Sequence, residues 1–194
     1  MTQAWPVALP AELRALLLNL SSADVADDQA WILALMHRHG LPVITMLWRM
    51  LGREADVLDA YQTAVCKLTA RGRGGIDRNR AGYFYRTAMN AGIEILRGRQ
   101  RQRQHWTEVA DVARRRPEER TGVERLGRSE AGERLRAAIC QLPPQLRSVI
   151  ILRDLAETPY TKVAGVLGIQ VNTARLYRRQ AVIRLAELMG EDES

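Results

Sequence analysis

A run of cations, aromatic rings and an amide in the middle of the chain has the groups needed to hold an unpaired nucleic-acid base. The run begins with RGRGGIDRNR at residues 71–80, which holds four arginines and three glycines, and continues with Tyr83, Tyr85, Arg86 and Asn90. An unstacked base needs a stacking surface, hydrogen-bond partners at its edges and cations for the neighbouring phosphates. The alternative is that the tyrosines are core or rim aromatics, and we expect one of the two to be so.

A second stretch, near the C-terminus, has the pattern of a helix-turn-helix. Tyr160 to Leu167 predict a short helix, Gly168 permits a sharp turn, and a second helix is expected to start near Asn172. The second helix has a buried stripe at spacings of three and four, formed by Ala174, Tyr177, Ala181 and Leu185. The opposite face presents Asn172, Leu176 and Arg179, flanked by Arg175. Such side chains at a helix N-terminus reach base edges in the major groove, and arginine is suited to guanine. The alternative is an ordinary helical hairpin, in which the same side chains form a solvated charged face.

The positive charge of the chain is concentrated in its middle. The 194 residues contain 29 Lys plus Arg and 22 Asp plus Glu, a net charge of +7. Residues 71–128 hold fifteen basic and seven acidic groups, whereas residues 129–194 hold nine and eight. A local positive excess favours nucleic acid as a partner, because each neutralised phosphate releases condensed counterions. The alternative is a solvated, disordered arm.

The elements that must position these groups are predicted to be helices. Apolar residues repeat at three and four almost throughout, and alternation typical of strands is nearly absent, so we predict an all-α chain. Composition typical of a linker between Gln104 and Gly127 predicts two small helical domains joined by a basic linker. The predicted segments are an N-terminal extension with a short amphipathic helix at residues 1–26, a helical domain at 27–103, the linker at 104–128 and the helix-turn-helix domain at 129–194. The predicted helices of the second segment run from about Asp27 to His39, from about Val43 to Leu51, through Val57 to Leu68, and from Ala81 to about Arg103.

Several function classes are not supported by the residues. His37 and His39 point to different faces of a helix, so they do not form a metal site. Cys66 and Cys140 have no neighbour at metal-ligand spacing. We expect both cysteines to be buried free thiols. No acidic pair lies beside a base or nucleophile, and no glycine loop precedes a helix in a phosphate-binding arrangement. We therefore expect no metal, no cofactor and no enzymatic activity.

The chain is also not expected to enter a membrane. No apolar run approaches the roughly 18 residues that a membrane span needs. Met1 to Leu20 lack the basic start and the cleavage site of a signal peptide. We expect a cytoplasmic location.

At this point the chain resembles the bacterial sigma-70 family, in its small two-domain extracytoplasmic-function class. Three loose motifs in the family's order carry the resemblance. The first has Gly52, Asp59 and Gln62, with Leu58 where the family has Glu. The second has Tyr83, Phe84, Tyr85, Asn90, Ile93, Glu94 and Arg97. The third has Leu142, Pro143, Arg153, Tyr160, Ala164, Leu167, Gly168, Thr173, Ala181 and Leu185.

The resemblance implies a subunit that joins core RNA polymerase, recognises promoter DNA and helps to melt it, with an anti-sigma factor as a possible further partner. It implies polymerase contacts at Asp59 and Gln62, which lie three apart on a helix. The implied contacts to the single-stranded minus-ten element are Arg71, Arg73, Arg80, Tyr83, Arg86, Asn90 and Arg97. The implied contacts of the helix-turn-helix to the minus-thirty-five element are Asn172, Thr173, Arg175, Leu176 and Arg179.

Two other functions remain open at this stage. The first is a helix-turn-helix regulator that binds promoter duplex without replacing sigma. The second is a protein-interaction module that has the sigma shape but has lost promoter recognition. Sequence-specific binding of free duplex would favour the regulator. Failure to bind DNA even with polymerase would favour the interaction module.

Overall fold

The computed structural model describes residues 27–76, 79–110 and 130–190. These ranges contain helices and no strand, which confirms the all-α prediction within them. The helices are α1 (Asp27–Leu51), α2 (Glu54–Arg71), α3 (Arg80–Ala110), α4 (Glu130–Gln141), α5 (Pro144–Ile150), α6 (Tyr160–Leu167) and α7 (Val171–Gly190), with one π-helical turn, Ile151–Leu155, after α5. The predicted short helix at the N-terminus, residues 111–128 of the predicted linker and residue 129 lie outside the described residues.

The first described helix is continuous where the sequence predicts a break at Gly40 and Pro42. Proline lacks an N–H group and so costs the helix one hydrogen bond. The apolar face nevertheless runs through this point, because Met36 before it and Ile44 and Leu47 after it are all buried in one core. Burial of these side chains outweighs the single lost hydrogen bond.

Helices α1, α2 and α3 pack together as the N-terminal lobe. Phe84 of α3 is fully buried and meets the ring of Tyr61 of α2 edge to face, with ring centroids 5.7 Å apart. Helix α2 ends at Arg71, and the N–H of the capping Gly72 donates to the carbonyl oxygen of Leu68 at 3.1 Å. Gly72 has a positive φ of 66°, which turns the chain out of the helix. Helix α3 continues to Ala110, beyond the predicted end near Arg103.

Helices α4 to α7 and the π-helical turn form the C-terminal lobe. Pro144 occupies the first position of α5, where its fixed φ suits a helix start. After α5 the chain forms a π-helical turn, in which the Ala156 N–H donates to the Ile151 carbonyl oxygen at 2.8 Å. Gly168 has φ 69° and makes the turn between α6 and α7, as expected.

The two lobes pack against each other. Helix α3 of the N-terminal lobe lies against α6 and α4, and α1 lies against the π-helical turn. One connected hydrophobic core therefore includes residues of both lobes.

Candidate nucleic-acid interface

The second helix of the helix-turn-helix presents the polar face that the sequence predicts. Asn172, Arg175, Leu176 and Arg179 are exposed at the start of α7, and Thr173 is half-buried. The alanines expected on the opposite stripe are completely buried, which fixes the rotation of the helix; they are Ala174 and Ala181. Leu176 is 52% exposed on this face.

Arg175 is held near the start of α7 by two neighbours. Its guanidinium lies 5.6 Å from the ring centroid of Tyr160, and its Nη1 donates to Asn172 Oδ1 at 3.3 Å. Arg153 lies over the same ring at 4.9 Å. The ring of Tyr160 therefore connects a cation of the π-helical turn with the candidate base-reading cation of α7.

Arg178 makes a contact within the C-terminal lobe that the sequence analysis did not predict. Its Nε donates to both carboxylate oxygens of Asp154, at 2.9 and 3.0 Å. This hydrogen bond raises the pKa of Arg178 above its usual value. The helical spacing could have indicated this contact. Arg178 lies four positions after Ala174 and three before Ala181, on the same side of α7 as these buried alanines.

The glycine-rich segment after α2 brings Arg71 to Tyr83. The Arg71 guanidinium lies 5.7 Å from the Tyr83 ring centroid, and its Nε donates to the Gly75 carbonyl oxygen at 2.8 Å. Arg73 is exposed in the same turn, and residues 77–78 lie outside the described residues. Arg80 at the start of α3 lies over the Trp31 ring at 5.7 Å.

The two neighbouring tyrosines of α3 have different environments. Tyr85 is 2% exposed and meets His39 edge to face at 5.9 Å between ring centroids. Burial raises the pKa of Tyr85 to about 12. Tyr83 is half-buried. Tyr85 is therefore the core aromatic of the pair, and Tyr83 remains the candidate for stacking on a base.

The predicted DNA contacts on α3 form a stripe, and part of that stripe faces the C-terminal lobe. Arg86 Nη1 donates to the Val166 carbonyl oxygen at 2.8 Å. Arg97 Nη2 donates to the Cys140 carbonyl oxygen at 3.5 Å, and its Nη1 lies 3.8 Å from Glu94 Oε1. Asn90 is exposed between them. The structure therefore brings Arg71 and Tyr83 together, and turns Arg86 and Arg97 toward the other lobe.

Asn79 is a second position that the sequence analysis did not select. Its Oδ1 accepts a hydrogen bond from the Gly82 N–H at 2.7 Å, which caps the start of α3. Its Nδ2 donates across the lobes to the Gly165 carbonyl oxygen at 2.6 Å. An asparagine immediately before a helix is a recognisable cap signal, whereas its partner in the C-terminal lobe could not be read from the sequence.

The candidate polymerase contacts lie on the exposed face of α2. Asp59 and Gln62 are both exposed, one turn apart on the same helix. The next turn carries Cys66, which is exposed, so the expectation that both cysteines are buried is wrong for this one. The reason is that Cys66 continues the exposed face of α2 rather than the stripe of Tyr61 and Leu68. Cys140 is buried as expected, and burial raises the pKa of its thiol.

Two other kinds of site are not found in the described residues. In the part of the chain that the structure describes, no three His, Cys, Asp or Glu side chains are grouped so that they could hold a metal ion. Among the described helices, none is both long enough and apolar enough to cross a bilayer.

Comparisons with known proteins agree with the motifs. Residues 132–185 match the family model described as sigma-70, region 4. Over 156 residues, 78% of this chain, the sequence is 25% identical to the ECF RNA polymerase sigma factor SigE of Mycolicibacterium smegmatis, and the match spans 60% of that relative's length.

Two solved structures are similar over most of their length. CnrH, solved in complex with the cytosolic domain of CnrY, is 19% identical, with a TM-score of 0.48 and coverage of 93% of this chain and 97% of CnrH. The sigma factor RpoE of Bartonella quintana, solved in complex with the anti-sigma factor NepR, is 17% identical, with a TM-score of 0.41. The match covers 86% of this chain and 98% of RpoE. The region 4 match and the similarity to SigE confirm the resemblance to sigma-70 factors of the extracytoplasmic-function class.

Proposed function

We propose that this protein is a sigma factor: it binds core RNA polymerase, directs it to promoters and helps to open the DNA strands. The observation that carries the proposal is the exposed polar face of α7, in a helix-turn-helix that lies within the region 4 match. A helix with this face reads bases in the major groove, since its arginines can donate to guanine. Such a protein acts in the cytoplasm, where polymerase and promoter meet, and it needs no catalytic step of its own.

The N-terminal lobe is the proposed site of polymerase binding and strand capture. Asp59 and Gln62 offer an acidic and polar patch for a helical partner. Tyr83 with Arg71 offers a ring and a cation for an unstacked base and its phosphate, and Asn90 offers an amide for a base edge. The remaining candidates in this set, Arg73, Arg80, Arg86 and Arg97, would neutralise the strand's phosphates.

The C-terminal lobe is the proposed reader of the upstream promoter element. Asn172, Thr173, Arg175, Leu176 and Arg179 form the candidate contact face. Arg178 would orient this face through Asp154 rather than read bases itself. An anti-sigma factor is a further partner that the resemblance implies, and it stays a prediction.

Transcription from a library of randomised promoters with purified core polymerase tests the proposal. We expect the chain to enrich a two-part consensus, with one part per lobe. Unaided, sequence-specific binding of free duplex without any effect on polymerase would instead identify a conventional regulator. Absence of DNA binding even with polymerase would identify an interaction module.

A further inference from the structure

We infer that Tyr160 is a positioning residue for promoter reading, because its ring holds the Arg175 guanidinium in the direction that a base contact needs. This inference rests on the proposed function and goes beyond it, since Tyr160 itself is not among the proposed DNA contacts. It assigns base reading on α7 to Arg175 and leaves Arg179 for contacts that need no fixed direction.

The ring of Tyr160 is itself fixed at the start of α6. Tyr160 is the first residue of this helix and packs half-buried against the core. The Pro159 carbonyl oxygen before it accepts from the Val163 N–H at 3.0 Å. Thr158 is buried, and its carbonyl oxygen accepts from Arg153 Nη1 at 3.3 Å. The ring therefore lies on a backbone that the core and these hydrogen bonds hold in place.

Arginines from two elements meet this ring. Arg153 lies 4.9 Å and Arg175 5.6 Å from its centroid, within the roughly 6 Å over which an aromatic ring attracts a cation. The pKa of Arg178 is raised first by its hydrogen bond with Asp154 and, to a lesser degree, by the Tyr160 side chain. Of the two arginines over the ring, Arg175 is the one that lies on the exposed face of α7.

Arg175 is held from two directions and keeps donors for a base. The Tyr160 ring is one contact, and Asn172 Oδ1 is the other, accepting from Arg175 Nη1 at 3.3 Å. A guanidinium carries all its N–H donors in one plane, so a ring contact and one acceptor do not use all of them. Guanine offers its O6 and N7 acceptors together, and arginine pairs with both only in the matching orientation. The hold on Arg175 thus sets that orientation before DNA arrives.

A preset direction favours the matching base over the others. The freedom that a long side chain loses at an interface weakens binding by about two- to tenfold, and a side chain that is already held avoids this loss. On a mismatched base pair Arg175 makes no bidentate contact, so the preset direction gains nothing there. Removal of the ring should therefore reduce the preference at one promoter position rather than the affinity for every sequence.

Arg179 is the matched comparison on the same face. It is exposed one turn after Arg175. In the part of the chain that the structure describes, no aromatic ring and no side-chain acceptor meets its guanidinium. The two arginines therefore have the same chemistry and helix and differ in the contact with Tyr160.

The test uses Tyr160→Leu, which removes the ring, and Tyr160→Phe, which keeps it. Each is made alone and together with Arg175→Ala or Arg179→Ala. The complex of each full chain with core polymerase is bound to the panel of single-base variants of a promoter selected from the library. The preference at each position is the ratio of the affinities for the two bases.

We expect Tyr160→Leu to lower the preference at one position about two- to tenfold and Tyr160→Phe to keep it. Residues in contact couple, and residues that share no partner add. Tyr160→Leu should therefore change the preference no further after Arg175→Ala, and should have its full effect after Arg179→Ala. An equal loss on every sequence, a loss in Tyr160→Phe as large as in Tyr160→Leu, or a full effect after Arg175→Ala overturns the inference.

A measurement on the parent tests the hold without any substitution. Nuclear magnetic resonance gives order parameters for the arginine Nε–H groups, which report motion on the picosecond to nanosecond timescale. We expect the Arg175 group to be more ordered than that of Arg179 in the free chain. Equal order of the two groups overturns the inference, and this result holds even where Tyr160→Leu does not unfold cooperatively.

These outcomes are distinct from failure of the proposed function. Polymerase-dependent transcription by the parent, together with parental base preference in Tyr160→Leu, would reject the positioning role alone. Absence of polymerase-dependent transcription by the parent would reject the sigma function, and the order parameters would still decide whether the ring holds Arg175.

Discussion

The Arg178 guanidinium of α7 lies against the Asp154 carboxylate of the π-helical turn, with Nε 2.9 Å from Oδ1 and 3.0 Å from Oδ2. The two residues are far apart in sequence, and their contact ties the recognition helix to the segment beneath it. Arg178 is thereby committed to a partner within the lobe. Within the described residues no side chain holds Arg179 in this way, so its guanidinium is available to DNA.

Arg178→Ala is expected to weaken promoter binding equally on all sequences. The Arg178 side chain is 41% exposed, so solvent screens its pair with Asp154, and the loss of unfolding free energy is expected at about 0.2–1 kcal/mol. Denaturant unfolding measures that loss, and binding to a panel of single-base promoter variants measures preference. Asp154→Asn is the matched variant and should behave alike. A changed base preference in Arg178→Ala alone would show that Arg178 reads a base.

Arg175→Ala and Arg179→Ala are expected to relax preference in the upstream element. The arginine that contacts a base should cost roughly 1 to 3 kcal/mol at one position, because a bidentate contact with guanine is lost. The same panel of single-base variants, bound by the polymerase complex, locates that position. Equal losses on every sequence would mean that both arginines contact only phosphate.

The pair Asp59→Lys and Gln62→Ala is expected to weaken binding to core polymerase by more than about 1 kcal/mol, the scale of a hot-spot loss. Both side chains are exposed on α2, so the fold should tolerate the change. Competition for core polymerase against the parent measures the affinity. Glu187→Lys is a control for charge reversal, since Glu187 is exposed on α7 and pairs with Arg184. Equal affinity of the double variant and this control would remove α2 from the polymerase interface.

Tyr83→Ala with Asn90→Ala is expected to lower strand opening and leave closed complexes nearly intact. Stacking on one aromatic ring is worth roughly 1 to 3 kcal/mol per base, enough for about a tenfold loss of open complex. Permanganate reactivity of unpaired thymines measures opening. Because Tyr83 is half-buried, the variant must first unfold cooperatively near the parent temperature. A folded variant that opens promoters as the parent does would remove this face from base capture.

His39 is expected to make the fold less stable in mild acid. Burial is the largest cause that lowers the pKa of His39 below 6.5, and the charges of Lys162 on α6 and Arg38 on α1 lower it further. The ring of Tyr85 of α3 packs against the His39 ring. The unfolded chain therefore binds more protons than the native one below about pH 6.5, so the free energy of unfolding falls as the pH falls through the native pKa. Urea unfolding at pH 8 and at pH 5.5 measures the loss.

His39→Gln is the control for that loss, because it removes the titrating group. Its stability should change less between the two pH values than that of the parent. A parental loss of stability in His39→Gln would assign the acid sensitivity to other groups.

Local signals were sufficient to predict the helix-turn-helix. Gly168 identifies the turn, and Ala174 and Ala181 identify the inward stripe, because both features depend on backbone conformation and helical spacing alone. The stripe of α3 was predicted in the same way. Tyr83 and Tyr85 lie two positions apart, about 200° around the helix, so helical spacing places them on different faces and only the packing shows which face is inward.

Tertiary packing accounts for what the sequence did not show. Helix α1 runs through Pro42 because the core on both sides of it outweighs one lost hydrogen bond. Arg178 is satisfied by Asp154, and Arg86 by the Val166 carbonyl oxygen, each from an element distant in sequence. No local pattern encodes such partners, so the packing of the two lobes could not be predicted.

Permanganate footprinting of a promoter selected from the library tests the sigma function most directly. The promoter is probed with core polymerase alone, with the chain alone, and with both. We expect reactive, unpaired thymines only when polymerase and chain are present together, and a loss of that signal with Arg179→Ala or with the Asp59→Lys and Gln62→Ala pair. Reactive thymines with polymerase alone at the same positions, or none with both, would contradict it.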